Sequence, residues 1–392
     1  MSDNFSKDFL ELSNNFKIFS YVGFEGKSEK MSCLYSFLFL AFFATLIFSK
    51  SVILSPISCF VASTPKDNAK GFMSVFENFC WINGTYSLDK SEGFPNNHFD
   101  WRAHKESKKI NYYQWIPVIL ALQCLFFYLP YRLWKTVSFS MFGVDFNSMI
   151  ETASSISSDF DSKNRSVVIN SVANGIRQTI AVGNHSDNSS SLFSRMRNAI
   201  FGKFDIRFTG KRLFALFIIF KIIYATNAII QLVKINSLFQ WRNVSSFSFH
   251  EAIELSFPLV GYCYFPSGVG IGKENAYVGQ CNLTINMINS KIYIFLFMST
   301  LAVSIVTIWS IVKYLIQTMR LGSQFHLIKD LLKRRNVYVK EERHIIKRFI
   351  GDYLRADGML IVRKLNGNVN SGIASEVVEI IYTEFRSNHQ TE

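Results

Sequence analysis

Enzyme signatures are missing from this sequence. Its seven histidines form no HExxH pair, and no Cys/His cluster has the spacing that zinc requires. No GxSxG elbow is present to raise a serine nucleophile. Gly268, Gly270 and Gly272 precede Lys273 in the manner of a phosphate loop, but Glu274 stands where Ser or Thr must follow, so a turn is expected. The reading is a protein with no catalytic residue, no metal and no cofactor.

Targeting segments are missing too. The first thirty residues are polar and mixed in charge, and the first apolar run is too long for a signal h-region, so an uncleaved signal anchor is expected. Position 2 is not glycine, which excludes N-myristoylation, and no C-terminal prenylation box exists. Also absent is the basic, aromatic-interleaved face of a nucleic-acid binder. The formal net charge is +13, yet Lys and Arg flank apolar runs. They read as loops on the cytoplasmic side, with no nucleic-acid partner.

What the chain has in abundance is apolar surface. Of its residues 49% are hydrophobic and 16% aromatic, with 39 Phe, although 18% are charged. The apolar residues must therefore be bunched, and they are. Four runs stand out: Cys33 to Leu54, Tyr112 to Trp134, Leu213 to Val233 and Ile292 to Val312. Each approaches the ~20 residues that cross a ~30 Å hydrocarbon core at ~1.5 Å per residue. Lipid offers no partner to backbone N–H and C=O, so each run is expected to be a helix. The second carries Tyr112, Tyr113 and Trp115 at one end and Tyr128, Tyr131 and Trp134 at the other. That spacing, roughly 28 Å as a helix, predicts two aromatic belts at headgroup depth.

Lys and Arg crowd the segment between the second and third runs and the stretch after the fourth, which places both and the N terminus in the cytoplasm. The predicted organisation is a cytoplasmic N-terminal segment 1–31, spans at 32–54, 112–134, 212–233 and 291–316, outside loops 55–111 and 234–290, a cytoplasmic loop 135–211 and a cytoplasmic C-terminal domain 317–392. Cysteine usage tests this independently. Cys59 and Cys80 fall in the first outside loop, Cys263 and Cys281 in the second, and none in the cytoplasmic segments. Disulfides persist in oxidising compartments, so all four are expected to be paired, in any of three connectivities. Sequons at Asn83, Asn243 and Asn282 lie in the same loops and are candidate glycosylation sites.

Other features are read as structural. Thr152–Asp161 and Asn184–Ser191 are polar and Ser-rich, which suggests flexibility. Helical periodicity in Val377–Phe385 predicts a folded C-terminal region. The Leu331–Arg335 basic cluster reads as a solvated face, with contact to anionic lipid as the alternative. Pro117 and Pro130 lie in the second span, where a kink could flare a pore. Lys221 sits within the third, where an ionisable group is costly unless it faces other helices or water. Helical spacing groups it with Tyr224, Asn227 and Gln231 in one stripe, read as a polar bundle seam in preference to a pore lining.

Against that topology, Tyr112-Tyr113-Gln114-Trp115-Ile116-Pro117 resembles the innexin signature YYQWVP, with Ile for Val. Pro56-Ile57-Ser58-Cys59 resembles the family's PIxCW, with Phe60 for the Trp, and Phe79-Cys80-Trp81 with Gly84-Thr85-Tyr86 resembles FCW…GTY. Phe257-Pro258 before Cys263 resembles FPRVxxCDF, with Leu259 and Tyr264 as departures. Lys221, Tyr224, Asn227 and Gln231 match a third-span pattern, Cys281, Asn286, Lys291 and Phe295-Leu296 one leading into the fourth, and Asp357-Gly358 with Arg363 the C-terminal DGxFxxR stretch. Two cysteines per outside loop also fits pannexins, which lack the YYQW segment; connexins have three.

The resemblance implies a mainly α fold: a four-transmembrane-helix bundle per subunit, disulfide-stapled extracellular loops with some β structure, and a helical cytoplasmic domain. It implies a ring, taken as octameric, around a large pore, with the N-terminal segment folded into it. It implies the pairings Cys59 with Cys281 and Cys80 with Cys263, possible docking with a ring on an adjacent cell, and heteromers with other innexins. Expected partners are further copies of the chain and membrane lipids; the expected location is the plasma membrane. Near balance of Asp3, Asp8, Glu11, Glu25 and Glu29 against Lys7, Lys17, Lys27 and Lys30 predicts weak charge selection. An undocked hemichannel and a tetraspan scaffold or adhesion protein are the competing readings.

Overall fold

The computed structural model describes residues 24, 26–62, 69–87, 109–155, 162–184, 210–238, 256–267 and 275–390. Asn243, the Gly268–Lys273 stretch and the charged residues before Phe24 lie outside them, as do 156–161 and 185–191 of the Ser-rich stretches. In chain order the elements are α1 (Lys27–Val52), β1 (Ser58–Val61), α2 (Ala69–Asn83), β2 (Thr85–Tyr86), β3 (Lys109–Ile110), α3 (Ile116–Phe142), α4 (Phe146–Ser155), α5 (Ser162–Asn184), α6 (Arg212–Leu238), β4 (Val260–Ser267), β5 (Asn275–Asn282), α7 (Thr284–Met319), α8 (Leu321–Arg334), α9 (Arg343–Arg348), α10 (Arg355–Asn368) and α11 (Ser371–Gln390). Thr152–Ser155, read as flexible, closes α4. Four of these helices, α1, α3, α6 and α7, are long and apolar enough to cross a membrane.

Each of the four extends past its apolar run. At ~1.5 Å per residue the 36-residue α7 is about 54 Å long, well beyond the hydrocarbon. The excess turns do work elsewhere, because a helix leaving lipid can continue as long as one face is covered. Pro117 sits in the first turn of α3, where its missing N–H would have had no intrahelical partner, so it does not interrupt the helix. Pro130 is internal, and α3 continues through it.

The chain divides into two compact units. The second comprises Ser36–Phe127 and Asn227–Ala302. Its sheet has the order β1-β5-β4-β2-β3, all neighbouring pairs antiparallel. β4 and β5 form a long hairpin from Val260↔Asn282 to Ser267↔Asn275. The helix α2 covers one face of it, against β1 and β4. A Cβ on Gly279 would come within 2.8 Å of the Phe76 ring, so glycine there lets α2 seat on β5.

The first unit comprises the chain up to Tyr35, Tyr128–Thr226 and Val303–Glu392. Its centre is one apolar cluster that includes Ile150, Ile176, Phe217, Leu332, Ile361 and Val377. α11 packs against α5, α8 and α10, so the connection between the second and third spans interleaves with the C-terminal region in one domain. Ion pairs trim its surface: Arg165 with Glu376 at 2.7 Å and Arg335 with Glu379 at 2.6 Å. In the Leu331–Arg335 cluster Leu331 and Leu332 are buried, while Lys333, Arg334 and Arg335 are exposed, the last paired with Glu379.

Candidate functional site

The four loop cysteines are joined as Cys59–Cys281 and Cys80–Cys263. Register explains the first: Cys59 lies directly opposite Cys281 on neighbouring strands. The second pins α2 to β4. Sulfur atoms of Cys59, Cys80 and Cys281 lie within 4.8 Å of one another, a metal-like grouping, but each is spent in a disulfide and offers no thiolate. The Glu77 carboxylate accepts the Cys59 N–H at 3.0 Å. Two segments far apart in sequence thus become one rigid headpiece.

The YYQWIP segment is a rivet in the same unit. Tyr112–Gln114 form a 3₁₀ turn ahead of α3. The Tyr112 hydroxyl donates to the Ser256 carbonyl at 2.6 Å. Tyr113 is fully buried and stacks on Trp81, with centroids 4.8 Å apart. The Gln114 amide donates to the carbonyls of Trp81 and Ile82. From α7, Asn286 donates to the Pro258 carbonyl at 2.9 Å and approaches the Tyr112 hydroxyl at 3.4 Å. The signature therefore holds both loop segments to the ends of two long helices. Its aromatics do not all form a belt: Trp115 is 61% exposed, whereas Tyr113 is packed into the protein.

Two of the three sequons, at Asn83 and Asn282, fall among the described residues of this unit. Exposed Asn282 pairs with Ser58 and Val260, two residues before α7 begins. Half-buried Asn83 follows Trp81 and Ile82, which Gln114 holds. Among the family departures, Phe60 is 71% and Leu259 52% exposed, while Tyr264 is buried against Tyr86.

The polar stripe of α6 is divided between the units, Lys221 and Tyr224 in the first, Asn227 and Gln231 in the second. Lys221, Tyr224 and Gln231 are buried and Asn227 half-buried. The Asn227 Nδ2 and Gln231 Oε1 atoms are shielded and find no hydrogen-bond partner among the described residues. Lys221 is fully engaged. Its ammonium contacts the Glu29 carboxylate and donates to Ser310 Oγ at 2.7 Å. It also lies over the rings of Tyr314 and Phe217, at 4.7 and 5.1 Å. Ser28 bridges the two sides, its hydroxyl within hydrogen-bond distance of Ser310 Oγ at 2.9 Å and of the Glu29 carboxylate at 3.0 Å.

Glu29 was counted from sequence among the charges of an N-terminal funnel. It is buried inside the first unit instead, where its second oxygen accepts the Gly26 N–H at 2.7 Å. Phe24, just before it, stacks on Trp134 and donates its N–H to Asn147 at 2.9 Å. Trp134, read as the far belt of the second span, is an interior residue of this cluster, also packed on Phe217 and Phe220. Sequence reasoning found Lys221 but missed Glu29, Ser310 and Tyr314. A signal existed: a buried ammonium needs a counter-ion, and Glu29 is the acid at the entrance to the first apolar run.

A family model described as Innexin matches residues 27–385. Innexin-3 of Caenorhabditis elegans is 26% identical over 377 residues, covering 94% of this chain and 85% of the relative. Innexin unc-9 of the same organism is 25% identical over 374 residues, 92% of each chain. Innexin eat-5, also from C. elegans, is 24% identical over 382 residues, covering 91% of this chain and 86% of the relative.

Proposed function

The chain belongs to the innexin family and is a gap-junction channel subunit in that general sense; from that premise we propose that it forms rings that dock between adjacent cells and pass ions and small molecules by passive diffusion. The observation that carries this reading is the double staple Cys59–Cys281 and Cys80–Cys263. It turns two connecting segments into a single stiff surface, which a docking contact needs and a lone pore does not. Rigid, pre-organised surfaces bind with less lost entropy.

In this reading the loops 55–111 and 234–290 face outside, and both termini, the 135–211 loop and the 317–392 region face the cytoplasm. The Lys and Arg excess of the 135–211 and 317–392 segments supports that orientation, as does the confinement of disulfides to the second unit. The N-terminal segment enters the pore, which is bounded by a ring of identical subunits, eight in the favoured assembly, or by a mixed ring with other innexins. Bilayer lipids meet the exposed apolar side chains of the long helices, Phe42, Phe48 and Trp309 among them.

The undocked hemichannel stays as second reading because Phe60 and Leu259, departures from the family pattern, are both exposed on the headpiece. Paired cells expressing only this chain test the choice. Junctional conductance establishes homotypic docking. Single-cell current without coupling assigns the hemichannel, or a subunit that docks only with another innexin. Silence in both, with protein at the surface, contradicts the homomeric channel and revives the scaffold reading.

A further inference from the structure

A basic face lies in the first unit, where the chain turns from α8 into α9. Residues 329–348 hold eight Lys and Arg against Asp330, Glu341 and Glu342. Two of these acids are engaged elsewhere: Asp330 meets His326 Nδ1 at 2.8 Å, and Glu342 pairs with Arg386. Of the eight cations, Arg335 alone has a carboxylate within ion-pair reach among the described residues. Three of the others are held in place by rings. Phe325, Lys329 and Lys333 follow one another at four-residue spacing along α8, which puts them on one side of it. Asn336, at φ 57°, then reverses the chain in a Schellman cap: the Val337 N–H donates to the Leu332 carbonyl and the Asn336 N–H to that of Lys333, both at 3.1 Å. The reversal brings the Tyr338 ring back to both lysines, 5.6 Å from the Lys329 ammonium and 5.9 Å from that of Lys333. Arg343, at the start of α9, stands over Phe325 at 5.1 Å. Rings attract cations through their quadrupole and carry no net charge, so they position these groups without neutralising them.

We propose that Lys329, Lys333 and Arg343 bind the headgroup of a membrane lipid that carries clustered phosphate monoesters, the chemistry of the phosphorylated inositol lipids. A phosphate monoester holds about −1.5 to −2 charges at neutral pH, so two on one ring hold about −3 to −4. The three ring-held cations, with exposed Lys347 one turn beyond Arg343, match that charge. A phosphodiester headgroup offers far less. Position favours a lipid over a soluble polyanion or an acidic protein. α8 begins just after α7 ends, with Arg320 alone between them. Met319 and Leu321, on either side of Arg320, are 81% and 71% exposed. Large apolar side chains flanking a cation at the end of a membrane-capable helix belong at the headgroup boundary. Lys329 is nine residues beyond Arg320, ~14 Å along the helix at ~1.5 Å per residue. The face therefore stays within reach of a headgroup that projects from the bilayer. This inference rests on the reading that α7 crosses the membrane, and on neither docking nor conduction.

The test is lysine footprinting of the full-length protein in nanodiscs, which offer lipid to both faces and so do not depend on orientation. Co-elution with the disc is scored separately, which distinguishes failure of the membrane reading from failure of this one. Discs of phosphatidylcholine alone are compared with discs containing phosphatidylserine or a phosphatidylinositol bisphosphate at matched total charge. Lys329 and Lys333 are expected to lose labelling in the bisphosphate discs alone, while exposed Lys70 and Lys109 label alike in all three. Arg343→Gln, which removes no labelled residue, should raise the amount of bisphosphate lipid needed for half protection about fivefold, and Arg343→Lys should restore it. Equal protection by phosphatidylserine would mean general attraction to an anionic surface, and overturns the proposal. Equal protection in phosphatidylcholine discs by free inositol trisphosphate at the same concentration would assign a soluble polyphosphate, and overturns it too. Unchanged labelling of both lysines in the bisphosphate discs, or an Arg343→Gln midpoint equal to wild type, overturns it as well.

Discussion

Lys221 and Glu29, separated by 192 positions in the chain, meet as an ion pair with side chains 1% and 4% exposed. An isolated ammonium at that depth would be costly, and removing one partner of a buried pair leaves the other uncompensated, at about 3–5 kcal/mol. Lys221→Met and Glu29→Gln are therefore each expected to lower the melting temperature of the detergent-solubilised channel and its surface level. The double change to Met at both positions should recover part of the loss, since no charge is then stranded. Equal or greater damage in the double variant would show that the pair is not what holds these segments together.

Much of this was legible from the sequence, for physical reasons. A span advertises itself because lipid demands about twenty apolar residues in a row, and Lys221 was conspicuous by interrupting one. Glu29 was not, because a carboxylate at the edge of a span looks the same whether it faces water or a distant lysine. Trp134 illustrates the same limit: aromatic spacing gives position along a helix but not which side is covered by Phe24 and Phe217. The overrun of α7 and the interleaving of α5 with α11 depend on tertiary packing, which no local pattern encodes.

The YYQWIP rivet predicts a graded series. Tyr113 is fully buried against Trp81, so Tyr113→Ala should cost roughly 3–5 kcal/mol, the range for emptying an aromatic site. Tyr112→Phe keeps the ring and loses the hydrogen bond to Ser256, so about 1 kcal/mol is expected. Trp115→Ala, at a 61% exposed position, should unfold nothing in detergent. Thermal melts of the three variants order them; a Trp115 variant as unstable as Tyr113→Ala would contradict the assignment.

Disulfide connectivity gives a direct chemical prediction. Peptide mapping without reduction should recover Cys59 linked to Cys281 and Cys80 linked to Cys263. Both bridges close long loops, 222 and 183 residues in separation, and loss of a native bridge typically costs about 2–5 kcal/mol. Cys59→Ser and Cys80→Ser are each expected to reduce surface expression severely. A membrane-impermeant reductant applied outside intact cells should disrupt established coupling, and the same reagent inside the pipette should not. Sensitivity only from inside would reverse the proposed orientation.

Asp357 supplies a pH dependence whose sign can be fixed in advance. Burial raises its carboxyl from 3.8 to about 6, while the backbone N–H groups of Phe214, Leu213 and Arg212, and the Arg212 charge, pull the other way. Between those values the folded chain holds a proton that the unfolded chain has released. The stability contribution of this group is therefore complete below about pH 4 and is lost as pH rises through about 6. Asn at 357 has the same shape and no titration, so it imitates the protonated state. From pH 5 to pH 7 wild-type protein should lose roughly 1 kcal/mol relative to Asp357→Asn, read as a widening gap between their melting temperatures in matched buffers. The local contact runs in the opposite sense, since the ionised carboxylate is the stronger acceptor for the Phe214 N–H in the first turn of α6. Acidification through pH 6 should thus stabilise the domain while loosening its hold on that helix, and hydrogen exchange at the start of α6 should quicken below pH 6 in wild type alone. An Asp357→Asn variant with the same pH profile as wild type in both measurements would place the titrating group elsewhere.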